Sequence, residues 1–101
     1  MKTRLHKQLE KRVAGKTVLI TGASSGIGLT TAHQLADAGA HVLLVARTQE
    51  TLEQVKSEIE AKGGKASIFP CDLNNMEAID EVSTQIIASV DHLDLLINNA
   101  R

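Results

Sequence analysis

The residues best suited to chemistry form one run, Thr21-Gly22-Ala23-Ser24-Ser25-Gly26-Ile27-Gly28, directly after the apolar stretch Val18-Leu19-Ile20. A short buried strand that passes through a glycine-rich bend into a helix offers backbone N–H groups to a phosphate. Gly22 lets the chain leave the strand through a bend that a Cβ would obstruct, and Gly26 lets the backbone approach a pyrophosphate. Gly28, in the first helical turn, permits close packing on the sheet, and Ser24 and Ser25 can cap the helix or donate to phosphate oxygens. The spacing G-x-x-x-G-x-G differs from G-x-G-x-x-G, and a Ser/Gly turn before any helix could produce it. The strand before it and the helix signals after it favour phosphate binding over a plain turn.

Alternating strands and helices position this loop. Thr17–Ile20 reads as the first strand, and Leu29, Ala32, Leu35 and Ala36 mark the buried face of a helix that Gly39 stops. His41–Ala46 is a continuous apolar strand of the kind buried on both faces of a parallel sheet. Thr48 is placed to cap a second helix running to about Lys62, with Leu52, Val55 and Ile59 inward and Gly63-Gly64 ending it. Lys65–Phe69 is a third strand, broken by Pro70. Asn74 or Asn75 caps a third helix with Met76, Ile79, Val82, Ile86 and Ile87 at spacings of three or four, and Leu93–Ile97 is a fourth strand. This alternation predicts an α/β fold: a three-layer, doubly wound parallel sheet of Rossmann type, with four strands in the order 3-2-1-4 and three helices, the chain stopping after strand four. Ligands bind such sheets at the strand C-terminal ends, where Thr21–Gly28, Arg47, Cys71–Leu73 and Asn98–Ala100 all converge.

Composition limits the alternatives. The chain has 101 residues, 43% hydrophobic and 23% charged, an ordinary balance for one small domain. The net charge of -1 gives no general reason to expect a nucleic-acid partner. Residues 1–12 nevertheless hold Lys2, Arg4, Lys7, Lys11 and Arg12 against Glu10, which leaves 6 basic and 11 acidic residues in the remainder. With Leu5 and Leu9 at helical spacing, residues 1–12 read as a basic, partly helical leader or linker, and residues 13–101 as the nucleotide-binding unit. The single Cys71 excludes an intramolecular disulfide and reads as a small apolar filler. His6, His33, His41 and His92 form no ligand-spaced pair and read as surface or core-edge residues, so no metal site is expected. No apolar run is long enough to cross a membrane, and the expected location is cytoplasmic.

These residues together resemble the short-chain dehydrogenases/reductases. The resemblance rests on Thr21–Gly28, the Ala46-Arg47 pair, Asp72-Leu73 and Asn98-Asn99-Ala100, and covers nearly everything from Val13 to Ala100. It implies that the glycine loop holds a dinucleotide pyrophosphate, that Asp72 contacts the adenine, and that Asn98 to Ala100 shape the wall beside the adenosine ribose while steadying the central strands. Taken alone, Asp72 would read as a helix-capping carboxylate and the two asparagines as a strand-end turn. Arg47 then indicates which cofactor. A carboxylate near the end of strand two would bind a ribose 2′-hydroxyl and repel a 2′-phosphate, but Val45-Ala46-Arg47-Thr48 has no acid there. A guanidinium can hold phosphate oxygens in a bidentate manner, so NADP(H) is expected over NAD(H).

In two respects the chain departs from the family pattern. Family members transfer hydride with a Ser and a Tyr-x-x-x-Lys set in their second half, and this chain has no tyrosine. Where the asparagine motif usually continues with glycine, residue 101 is Arg. The expected function is the cofactor-binding portion of an oxidoreductase that interconverts a carbonyl and an alcohol, with the substrate engaged only in a complete enzyme. A non-catalytic dinucleotide-binding or regulatory module is the alternative. An uncovered strand-four edge also predicts self-association or marginal stability. The basic leader is somewhat similar to the linkers of multidomain fatty-acyl reductases, which points towards lipid-derived aldehydes.

Overall fold

A computed structural model describes residues 4–24 and 26–99. In chain order the elements are α1 (Arg4–Val13), β1 (Thr17–Thr21), α2 (Gly26–Asp37), β2 (His41–Ala46), α3 (Gln49–Ala61), β3 (Lys65–Pro70), α4 (Met76–Ser89) and β4 (Leu95–Asn98). All strand pairs are parallel, and the spatial order is β3-β2-β1-β4. The sheet order is the one expected from the sequence. The leader adds a fourth helix to the expected three, because residues 4–13 are helical throughout.

The register divides the strand side chains between two faces. Val18, Ile20, Val42 and Leu44, each 0% exposed, face α2 and α3, which contribute Ala32, Leu35, Ala36, Leu52, Val55 and Ile59 to the same core. Val13, the last residue of α1, is buried in that core as well. On the opposite face Leu43, Val45, Phe69 and Cys71 pack with Val82 of α4. β2 is apolar because both its faces are covered, β1 is buried on its α2–α3 face and half-buried on the other, and the two flanking strands carry the exposed residues.

Local signals explain where the elements stop. Gly39 and Gly63 end α2 and α3 in the left-handed region (φ 99° and 87°). Of the two asparagines considered for the α4 cap, Asn75 fills it, accepting from the N–H groups of Glu77 at 3.0 Å and Ala78 at 3.2 Å. Thr48 holds the N-cap position of α3 with extended backbone, but its hydroxyl makes no capping bond; its carbonyl accepts from Leu52 N. β3 continues through Pro70 because it is an edge strand, where a missing N–H breaks no ladder. β4 starts at Leu95 rather than Leu93. Asp94 Oδ2 accepts the Thr17 N–H at 2.8 Å while Asp94 N donates to the Thr17 carbonyl at 2.9 Å, so a side chain begins the β1–β4 junction.

Candidate functional site

β1 delivers the glycine loop to the C-terminal end of the sheet, and the first turn of α2 begins directly beyond it. Two glycines there have left-handed backbone, Gly22 (φ 67°) and Gly26 (φ 58°), which a residue with a Cβ adopts at a cost of about 1 kcal/mol or more. Gly28 is required for a different reason. A Cβ at that position would collide with the Gly22 carbonyl oxygen and lie 2.7 Å from Asn99 Nδ2. Where the sequence suggests packing on the sheet, the contact is instead with the loop's own carbonyl and the β4 asparagine.

A hydrogen-bond network locks the loop to β4. Thr21 Oγ1 donates to Asn98 Oδ1 at 2.8 Å and accepts from Asn99 N at 3.0 Å, while Asn99 Nδ2 donates to the Gly22 carbonyl at 3.4 Å. On the other side Ala23 N donates to the Val45 carbonyl at 3.3 Å, extending the β1–β2 contact past the strand end. The bend is therefore held from both neighbouring strands. The leading N–H groups of α2 have no intrahelical acceptor and carry the positive end of the helix dipole, which suits an anion.

A cavity of about 1150 Å³ opens at this edge. Gly22, Ser24, Gly26 and Ile27 line it from the loop, Arg47 and Thr48 from the end of β2, Asp72 and Leu73 from the end of β3, and Asn98 and Asn99 from the end of β4. These residues, far apart in sequence, are thus brought to one concavity. Gly28 lies behind the wall, and Ser25 and Ala100 fall outside the described residues. Ile27 is 76% exposed, an apolar cover over the start of α2.

Three side chains show what the cavity offers. Arg47 is exposed on the rim and makes no hydrogen bond or ion pair among the described residues. Asp72 Oδ1 accepts from Asn74 N at 2.9 Å, folding the turn after β3, while Asn75 does the capping that Asp72 alone would suggest. Cys71 is buried with its N–H on the Ala46 carbonyl, and burial followed by the neighbouring Asp72 charge pushes its thiol up, away from the nucleophilic thiolate. It fills space.

The cavity also has an apolar floor that sequence reasoning does not assign to a site. Leu19 and Leu96 of the sheet line it together with Ile79, Val82, Ser83 and Ile86 of α4. A signal is present, since residues 79, 82, 83 and 86 share one stripe of a helix. Periodicity by itself marks that stripe only as core.

A second cavity of about 430 Å³ lies at the opposite end of the sheet, among Gly39, Lys62 and Gly63. There α2 and α3 end, so helix carbonyls point towards it and Lys62 and Lys65 offset their partial negative charge. It is poorly suited to a phosphate. Burial, and then the Lys65 charge, hold the His41 imidazole below its usual range, and it bonds Ser67 at 2.9 Å. His33 pairs with Glu58 at 3.3 Å and His92 with Asp94 at 3.2 Å. No group of three metal-ligating side chains occurs among the described residues, and no helix among them is long and apolar enough to cross a membrane.

A parallel 3-2-1-4 sheet with a glycine loop at its switch point defines a nucleotide-binding α/β protein. The family model for short chain dehydrogenase matches residues 16–101, and the chain belongs to that family. It is 67% identical over 100 residues to a fatty acyl-CoA reductase of Acinetobacter baylyi, a match covering 99% of this chain and 34% of the relative. Among solved structures it resembles an L-sorbose reductase of Gluconobacter frateurii complexed with NADPH and L-sorbose (37% identity, TM-score 0.81, 88% of this chain and 34% of that one). It also resembles a metagenomic short-chain oxidoreductase in complex with NADP (42% identity, TM-score 0.82, 87% and 40%). The chain spans 34% of the length of the Acinetobacter relative and 28% of that of an uncharacterized oxidoreductase of Mycobacterium tuberculosis that it matches at 48% identity.

Proposed function

We propose that residues 13–101 are the NADP(H)-binding half of an oxidoreductase that reduces a carbonyl or oxidises an alcohol, with residues 1–12 a leader to it. The observation that carries this reading is the convergence of the glycine loop, Arg47, Asp72 and the two asparagines on one cavity. The first turn of α2, with Ser24 and Ser25, holds the pyrophosphate; Asp72 and Leu73 border the adenine; Asn98, Asn99 and Ala100 wall the ribose. Arg47, without a partner among the described residues, has Thr48 beside it and no acid at the end of β2, which favours a 2′-phosphate and hence NADP(H) over NAD(H). When bound, the cofactor supplies the hydride; this chain's residues bind and orient it. No tyrosine occurs among these 101 residues, so none of them is assigned the family's proton transfer.

The named relative with 67% identity supports an acyl thioester or lipid-derived aldehyde as the substrate class of a complete protein, which would work in the cytoplasm. A non-catalytic dinucleotide-binding module is the second reading, favoured by the same missing tyrosine. Self-association through β4 also belongs to the proposal, since Leu95 and Leu96 are 45% and 56% exposed and the outer edge of β4 pairs with no strand among the described residues. Titrating the purified chain with NADPH and NADH by nicotinamide fluorescence, then assaying turnover of a long-chain aldehyde, tests the reading. Tighter binding of NADPH without turnover is expected. Absence of binding by the folded chain would refute it, and turnover would show that proton transfer needs no tyrosine.

A further inference from the structure

Helix α1 lies outside the sheet sandwich, and its charge is unlike that of the rest of the molecule. Residues 1–12 hold five basic side chains and one acidic, while the remaining residues hold 6 basic and 11 acidic, a net charge of -5. The helix is strongly amphipathic and polar on average, with no acid in its first turn and Lys11 and Arg12 in its last. Val13 is buried and fixes how the helix is rolled. At 3.6 residues per turn Lys11 stands about 160° and Lys7 about 120° around the axis from Val13, so both point away from the core. Lys7, Lys11 and Arg12 are all exposed.

We infer that α1 is a docking helix for an anionic phospholipid surface, carried by Lys7, Lys11 and Arg12. With Val13 turned to the core, adsorption rests on charge: cations near anionic headgroups each strengthen it. The acidic remainder is repelled by the same surface, which favours approach by the α1 end, where Lys62 and Lys65 also lie. That end is the correct one for a reductase at a membrane. α1 leads through Gly15, whose N–H donates to the Gly39 carbonyl, into the start of β1, whereas the cofactor loop lies beyond the end of β1. Docked this way, the large cavity stays open to the aqueous side. A nucleic-acid partner fits less well, because four cations on one helix of a chain with pI ≈ 6.4 do not make an extended basic surface.

Co-sedimentation of the full chain with phosphatidylcholine vesicles, with and without phosphatidylglycerol, tests the inference. Adsorption to the anionic vesicles alone is expected, weakening as salt rises. Lys7→Gln/Lys11→Gln should lower the partition coefficient about thirtyfold, at roughly fivefold per cation. Lys7→Arg/Lys11→Arg should retain it, and circular dichroism matched to the wild type shows that each variant is folded. The inference is overturned if the folded wild type adsorbs no better to anionic than to neutral vesicles. Full binding by the double glutamine variant, or tighter binding to a DNA duplex than to vesicles at equal phosphate concentration, would also overturn it.

Discussion

On the face of the sheet covered by α2 and α3, Leu52 and Ala32 are 0% exposed, whereas the face covered by α4 is closed at Leu43 (0% exposed) but open at Leu96 of β4 (56% exposed). The first face is sealed because two helices each present three buried side chains across β1, β2 and β3. The second has one helix, whose one buried side chain is Val82, set against the β3 side of the sheet. The candidate cofactor site straddles this difference. Its glycine loop and Arg47 stand on the sealed β1–α2–β2 unit, while its apolar floor opens between α4 and β4. The glycine loop and Arg47 thus stand on the well-packed part, and the apolar floor lies in the open part.

The sharpest way to break that comparison is to remove equal volume from each face. Leu52→Ala on α3 should lower the unfolding free energy by about 2–5 kcal/mol, since the site is closed on all sides. Ile86→Ala on α4, half-exposed, should cost about 1 kcal/mol. Equal losses in urea titration would show that the two faces are equally packed. Gly28→Ala should come next, at about 1–3 kcal/mol, with dinucleotide binding impaired more than stability because the Gly22 carbonyl must move. Thr21→Val leaves the strand intact but removes both hydroxyl bonds to the asparagines; a loss of about 1 kcal/mol and faster amide exchange at Asn99 are expected.

The smallest effect is at the far end of the same strand pair. Asp94 is held below the usual carboxylate range, chiefly by the Thr17 N–H and then by the His92 and Lys16 charges. A folded-state pKa below the unfolded one means that its contribution is complete above the ordinary value of 3.8 and is lost as pH falls through the lower folded value. Melting temperatures measured down the acid range should therefore fall more steeply for the wild type than for Asp94→Asn. Parallel curves would show that the Asp94 carboxylate contributes nothing to the junction.

Much of this fold is legible in the sequence, for physical reasons that also explain the rest. The short, Val-rich apolar run His41–Ala46 fits a strand covered on both faces, and the spacing of Leu52, Val55 and Ile59 fits the inner side of a helix. Once strands alternate with helices, handedness and short connections leave few sheet orders. The Asn75 cap is visible as one of two candidates, because capping is local. What depends on partners distant along the chain is not visible. Asp94 replaces a backbone carbonyl for Thr17 across 77 residues, and no local pattern marks it. Gly28 stands out in the sequence, but its reason, contact with Gly22 and Asn99, exists only after β4 is laid beside β1. The unused hydroxyl of Thr48 shows the reverse, a correct residue type at a cap position that the fold leaves unbonded.

The central claim is that Arg47, on the rim of the cavity and without a partner among the described residues, reads a 2′-phosphate. Calorimetric titration of the wild type and Arg47→Asp with 2′,5′-ADP and with 5′-ADP tests it most directly. The wild type should prefer 2′,5′-ADP by about tenfold to a hundredfold, the contribution of hydrogen bonds to a charged group, and Arg47→Asp should lose or reverse that preference. Equal affinity of the two proteins for 2′,5′-ADP, with folding intact, would contradict it.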